Sequence, residues 1–308
     1  MTMPDALKGR LAIPAIASPL FLVSGPDLVV ETCRAGILGT FPALNQRSSD
    51  GYADWLEEIE SRLQACQNPA PYGVNLIVHK TNPRLDADLK ITVAHKVPLV
   101  ITSLGAVPDL VKAVHSYGGL VFHDVISRRH AEKAVEAGVD GVIAVSAGAG
   151  GHAGTINPFA LIDEIRSFFD GAIVLAGAIS TGAHIAAAQL MGADLAYLGT
   201  RFIATKESLA QQGFKDMIVR SGTHDILYTP AISGVNANFL KPSLIAAGLD
   251  PNNLTHVGKM DMEGEAKVWR DVWSAGHGVA SIHDVPSAAD LCARLKAEYA
   301  AARRSLAA

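Results

Sequence analysis

Short apolar runs recur along the first two hundred residues, and each is followed by a stretch in which apolar positions return with helical spacing. Apolar runs of this length form strands buried on both faces, and strands separated by amphipathic helices pair in parallel. The runs cover 11–17, 36–40, 73–77, 99–102, 120–123, 141–145, 172–176 and 195–198. The clearest helical patterns between them, 128–137 and 181–191, are closed by Gly138 and Gly192, where a left-handed C-terminal cap needs no Cβ. The phrases EAGVDGVIAV and LMGADLAYLG repeat one order: helix end, glycine, acidic residue, strand. Eight such units predict an α/β fold in which the sheet closes as a (β/α)8 TIM barrel. An open doubly wound sheet is the alternative, and uninterrupted strand signals up to residue 200 speak against it.

After Thr200 the pattern changes. A helix is expected over 206–220, a stretch rich in Pro, Asn and Gly follows, charge returns at 259–270, and a last helix is expected over 288–305. A segment inserted after the eighth strand emerges at the C-terminal face of the barrel, where active sites of this fold are built. The expected division is a barrel domain of residues 1–205 and 266–308 with a small, mostly helical lid or substrate domain over 206–265. A packing extension or an oligomer contact is the other reading of that insertion.

Composition narrows the partners. Hydrophobic residues make up 49% of the 308 and charged residues 18%, as in a globular chain with a large core. The net charge of −4 leaves no positive excess to attract nucleic acid or anionic lipid. Segments 141–162 and 171–193 contain no Asp, Glu, Lys or Arg, but glycines, hydroxyls and a histidine interrupt both, so no membrane span is expected. Cys33, Cys66 and Cys292 are far apart and form no CxxC pair, which fits a reducing cytoplasm. The first residues lack the basic start and apolar stretch of a signal peptide.

Two features carry chemistry. The seventh expected strand runs into Gly177-Ala178-Ile179-Ser180 and the eighth into Gly199-Thr200. The loops after these two strands are the usual phosphate site of such barrels, where small residues let backbone N–H groups and a helix N-terminus approach an anion. The sixth strand runs into Ser146-Ala-Gly-Ala-Gly150-Gly151-His152-Ala-Gly154. Glycines around one histidine allow close backbone approach to a flat ligand and leave the imidazole as the reactive group, able to act as a base or to hydrogen-bond an anion. Residues 148–153 also match the dinucleotide fingerprint G-x-G-x-x-A, but the next strand ends in Ala176-Gly177 without the required carboxylate. His79, His123 and His152 are the histidines that could meet at a barrel mouth to hold a metal; no HExxH pair and no G-x-S-x-G elbow is present, and no metal is expected.

At these residues the sequence resembles the nitronate monooxygenase family, formerly 2-nitropropane dioxygenases. The resemblance spans nearly the whole chain and rests on AGILGT (35–40), YGVNL (72–76), GGHAG (150–154), LAGAIS (175–180), MGADLAYLGTRFIAT (191–205) and WSAGHGV (273–279). It implies an FMN-dependent barrel enzyme. Ala17, Ser18 and Pro19 would then contact the isoalloxazine through backbone, and Asn75 would hydrogen-bond the flavin or its ribityl chain. Gly150 and Gly151 would lie along the cofactor, with Ser146 and Asp124 beside it. Gly177, Ala178, Gly199 and Thr200 would hold the phosphate, the segment Ser274 to Gly276 would close over the site, and His152 would be catalytic. Two positions depart from the family: Ala178 stands where a second glycine is common, and Asp124 where some relatives carry a lysine. A carboxylate at 124 would oppose anionic reduced flavin, or else serve as a helix-entry residue.

The reaction implied is oxidation of an alkyl nitronate by O2 to a carbonyl compound and nitrite. The alternative is NAD(P)H-dependent reduction of a quinone or enoyl thioester on the same flavin, and a binding module without catalysis is the third. Small molecules and O2 are the expected partners, and a homodimer is a prior of the fold.

Overall fold

The computed structural model describes residues 3–105, 107–254 and 272–307. Eight parallel strands close into a barrel: β1 (Ala15–Ala17), β2 (Leu38–Pro42), β3 (Tyr72–Ile77), β4 (Leu99–Ser103), β5 (Leu120–Val125), β6 (Gly141–Val145), β8 (Ala172–Ala176) and β9 (Leu195–Leu198), with β9 pairing back on β1. The intervening β7 (Gly151–His152) lies outside the barrel. Every apolar run identified in the sequence is a barrel strand. Two start later than expected: Pro14 has no N–H to give the ladder, and Gly36, at φ +84°, turns the chain before β2 begins.

Strand alternation sorts the side chains. Ile16, Leu38, Ile101, Phe122, Ile143, Val174 and Leu195 point inward and fill the barrel, while Val74, Val121, Val142 and Ile173, of opposite parity, pack under the helices. A filled barrel leaves a ligand only the mouth at the strands' C-terminal ends.

The outer helices are α1 (Pro26–Arg34), α2 (Ser49–Gln64), α3 (Leu85–Ala94), α4 (Pro108–His115), α5 (Arg128–Glu136), α6 (Pro158–Arg166) and α7 (Gly182–Leu190). Ser48, Ser127, Asn157 and Thr181 cap α2, α5, α6 and α7 by accepting first-turn N–H groups on their side chains. After β9 comes only the short α8 (Thr200–Ile203). The eighth outer position is filled from the end of the chain by a helix, Ala288–Ala307, that packs against α7 and α1. Its backbone nearly touches α7 at Gly182, where a Cβ would run into Leu295 O and Tyr299 N.

The insertion carries α9 (Gln212–Arg220) and α10 (Lys241–Ala246). Helix α9 starts six residues later than the pattern suggests, because the backbone before it is used elsewhere: Lys206 N–H donates to Pro286 O, Leu209 N–H to Val23 O, and Lys215 Nζ binds the Lys206 and Ser208 carbonyls. Between the two helices lies a hairpin, β10 (Ile226–Thr229) and β11 (Ala237–Leu240), that sequence reading did not anticipate. Strand β11 also pairs with β7, giving a small three-stranded sheet over the barrel mouth. Residues 255–265 of the expected insertion and the charged stretch 259–270 lie outside the described residues. The charge-free segments resolve into β6, β7 and the start of α6, and into β8 and α7; among the described residues no helix is long and apolar enough to cross a membrane.

Candidate active site

A cavity of about 1730 Å³ opens at the barrel mouth. Ligand pockets usually measure roughly 300–1,000 Å³, so this one has room for a cofactor and a second molecule. Ser18, Asn75, Asp124 and Tyr197 line it from the tops of the strands. Asn75 is set by its side-chain amide, which donates to Ile101 O at 3.3 Å and to Ser103 Oγ at 3.2 Å.

The histidine loop is built from both sides. Gly148 (φ +87°) and Gly151 (φ +69°) take left-handed conformations that reverse the chain into β7, where Gly151 and His152 pair with Asn238 and Ala237 of β11. Gly151 N–H donates to Ser274 Oγ at 2.7 Å, and the Ser274 hydroxyl donates to Asn238 O at 2.6 Å. Asn238 Nδ2 donates to Ala149 O at 2.6 Å, and Tyr228 OH donates to Ala153 O at 2.9 Å. His152, half-buried, is thereby held in the cavity wall. Asn238→Ala would leave the buried Ala149 carbonyl without this donor, at an expected cost of about 1–3 kcal/mol. Urea unfolding checks the loss, and flavin content of the same variant checks whether the loop stays in place.

The segment after residue 272 forms a strap across the mouth. Gly276 N–H donates to Thr200 Oγ1 at 2.9 Å, His277 N–H to Gly148 O at 2.9 Å, and Ser180 Oγ to Gly278 O at 2.9 Å. Trp273 stacks on Phe214 of α9 with ring centroids 5.0 Å apart. The buried Arg201 guanidinium anchors the far end, on the Asp284 carbonyl at 3.1 Å and its carboxylate at 3.3 Å. Burial pulls this guanidinium below its usual pKa, and Asp284 opposes that shift.

Around the phosphate-type corner the wall is glycine backbone with small side chains packed closely behind it. A Cβ on Gly150 would meet Gly276 N at 2.8 Å, and one on Gly199 would meet Ser18 Oγ at 2.9 Å. The loop Gly177-Ala178 leads into α7, whose N-terminus favours negative charge. A wall of glycine backbone and small side chains, next to a helix start, fits a flat ring system with a phosphate. Ala178 takes φ +54°, a region that costs a residue with a Cβ roughly 1–2 kcal/mol. Ala178→Gly is therefore expected to stabilise the protein by about 0.5–1 kcal/mol after the glycine's greater unfolded-state entropy is subtracted. A rise in the urea midpoint with unchanged cofactor affinity is the expected result.

Of the residues singled out from the sequence, Ser18, Pro19, Asn75, Asp124, Gly150, Gly151, His152, Gly177, Ala178, Gly199, Thr200, Ser274 and Gly276 line this one cavity. Ala17 and Ser146 do not. Ala17 packs toward the helices and its carbonyl accepts from Thr40 Oγ1 at 2.5 Å. Ser146 is buried and donates to Ala176 O at 2.8 Å, standing behind Gly177, whose Cβ would strike its hydroxyl. The three candidate metal histidines do not gather. His79 is paired with Thr81, and His123, on the helix-facing side of β5, has Nδ1 2.7 Å from Thr102 Oγ1. Among the described residues no group of three or more His, Cys, Asp or Glu side chains could hold a metal ion.

Burial dominates the electrostatics of the mouth. It lowers His123 to about 4, with nearby His130 adding to the effect, so this imidazole is neutral. It raises Asp124 to about 7. Burial, and then the Asp124 charge, drive the Tyr197 phenol well above its ordinary value. Tyr197 and Asn238 were not foreseen. Tyr197 shares parity with the inward Leu195, so strand alternation could have found it. Asn238 lies in a polar, turn-rich stretch with no such signal.

The sequence profile of the nitronate monooxygenase family matches residues 7–298. Among curated relatives, the chain is 26% identical over 263 residues to a (3aS,4S,5R,7aS)-5-hydroxy-7a-methyl-1-oxo-octahydro-1H-indene-4-carboxyl-CoA dehydrogenase of Rhodococcus jostii, covering 84% of this chain and 70% of the relative. It is 27% identical over 287 residues to a nitronate monooxygenase of Paraburkholderia phytofirmans, covering 78% and 76%. Among solved structures, a nitroalkane oxidase from Streptomyces ansochromogenes superposes with a TM-score of 0.81 at 25% identity, over 98% of this chain and 100% of that one. FabK from Thermotoga maritima superposes with a TM-score of 0.80 at 22% identity, over 98% and 96%, a likeness of fold.

Proposed function

Because the chain belongs to the nitronate monooxygenase family and is an oxidoreductase, we propose that it oxidises alkyl nitronates with O2 on a bound FMN, releasing a carbonyl compound and nitrite. The observation that carries this reading is the position of His152, on a glycine loop clamped into the wall of the cavity that also holds the phosphate-type corner. FMN, when bound, supplies the electron transfer and the reaction with O2. The Gly177-Ala178 and Gly199-Thr200 turns hold its phosphate by backbone N–H groups and the Thr200 hydroxyl. Gly150 and Gly151 give its ring a surface without side chains, Ser18 and Pro19 meet it through backbone, and Asn75 offers its amide. His152 orients the anionic substrate, or takes the α-proton when the substrate arrives as a neutral nitroalkane. The strap from Ser274 to Gly276 keeps water from the reacting atoms. Supplying propionate 3-nitronate to the purified protein under air tests this reading: O2 uptake with release of nitrite is expected, and a protein that consumes no O2 would sink it.

A second reading, NAD(P)H-dependent reduction of a quinone or enoyl thioester, is favoured by the size of the cavity and by the similarity to a relative named for a carboxyl-CoA substrate. Anaerobic mixing with NADH or NADPH separates the two, since rapid bleaching of the flavin bands belongs to the second.

A further inference from the structure

Asp124 belongs to the inward face of β5, with the parity of Leu120 and Phe122 and opposite to that of His123. Its partner across the ladder on β6 is Ile143, an inward apolar residue, and the side chain lines the cavity. Its Oδ1 is buried and has no hydrogen-bond partner among the described residues. Buried carboxyl oxygens are ordinarily paired, and an unpaired buried charge is costly. A carboxyl group left this way at a cavity wall is poised to bond to something that enters the cavity.

We infer that Asp124 determines the charge of the substrate: its neutral carboxyl donates a hydrogen bond to an anionic oxygen of the substrate at the barrel mouth, and its ionised form turns that substrate away. The inference rests on the nitronate reading and deepens it. A nitronate carries its negative charge on oxygen, and an O–H donor to such an oxygen makes a short, charge-assisted bond. The same group ionised places like charges together in a poorly solvated site. The sequence alone suggests a carboxylate set against a reduced flavin; the inward, apolar setting favours the protonated acid instead. Burial alone pushes it up to about 7, with no neighbouring cation opposing the shift, so the changeover falls in the physiological range.

Other titratable groups surround Asp124 at the mouth. Tyr197, from β9, is held neutral by its own burial and by Asp124. His152, His123, Arg47, His130, Lys133 and Glu136 line the same cavity, with His123 Nδ1 2.7 Å from Thr102 Oγ1.

Nitrite, a small planar oxyanion, serves as the probe. Its binding to the holoenzyme, followed by perturbation of the flavin bands from pH 6 to 9, is expected to weaken about tenfold per pH unit above pH 7, as for a site that must be protonated to bind. His152→Gln should keep that slope and Asp124→Asn should abolish it. A slope that persists in Asp124→Asn, a flat profile in the wild type, or no nitrite binding at pH 6 would each overturn the inference. Infrared spectra give a readout independent of ligand: wild-type protein at pH 6 should show the carbonyl stretch of a protonated carboxyl that Asp124→Asn lacks, and its absence from the wild type overturns the inference as well. Loss of nitronate turnover with pH-dependent nitrite binding intact would remove the proposed reaction and leave the role of Asp124 standing.

Discussion

Replacing His152 by alanine should lower nitronate turnover by about 10²–10⁴-fold, the usual worth of a positioned acid–base group, while the protein keeps its flavin. The reason for the split lies in how the loop is held. Its register is set by backbone: the β7–β11 pairing, the Gly151 N–H on Ser274, and the Asn238 amide on the Ala149 carbonyl. None of these uses the imidazole, and His152 is only half-buried, so the alanine variant should keep the wall of the cavity and lose the imidazole proposed to orient or deprotonate substrate. Steady-state O2 uptake and the flavin-to-protein ratio, measured on the same sample, check both halves. Unchanged turnover with every nitronate tried would move the chemistry away from this loop.

Gly276→Ala is expected to have the largest structural effect in the site. A Cβ there would run into the Gly148 carbonyl oxygen and come within 2.7 Å of Gly150 N. Both obstacles are backbone, so no side chain can rotate aside. Relief requires the strap to lift from the histidine loop, which also breaks the Gly276 N–H bond to Thr200 and the His277 N–H bond to Gly148. The expected cost is about 3 kcal/mol, at the upper end for an overpacked position, with FMN affinity weakened more than tenfold. Gly248→Ala is the control. Gly248 has φ +79° with nothing within 4 Å of the built Cβ, so it should show backbone strain alone and retain flavin. Calorimetric unfolding and flavin retention on gel filtration separate the pair; equal behaviour of the two variants would mean that the strap does not close the site.

The barrel was legible because each strand is buried on both faces and so stands out as an uninterrupted apolar run. Errors at the strand starts came from Pro14 and Gly36, whose effect is on backbone pairing and turn geometry, not on hydrophobicity. The hairpin over the mouth was not legible for a different reason. Its strands are four residues each and the third strand of its sheet is Gly151-His152, residues with little intrinsic preference for a sheet. That pairing is created by tertiary contact. Within the cavity wall, the glycine turns and His152 were visible as composition at strand ends, whereas the side chains of Ala17 and Ser146 lie outside that wall. Alternation explains both: Ala17 follows the inward Ile16 and Ser146 follows the inward Val145, so each points outward. The upward shift of the Asp124 carboxyl had no signal in the sequence, because it arises from burial at the barrel mouth.

The proposed chemistry requires the glycine turns after β8 and β9 to grip a flavin phosphate beneath the strap. Titrating the purified protein with FMN, and following the visible flavin bands and the quenching of flavin fluorescence, tests that most directly. A yellow protein saturating at one FMN per chain, with affinity weakened in Gly276→Ala, is the expected result. A colourless protein that leaves added FMN free in solution would contradict it.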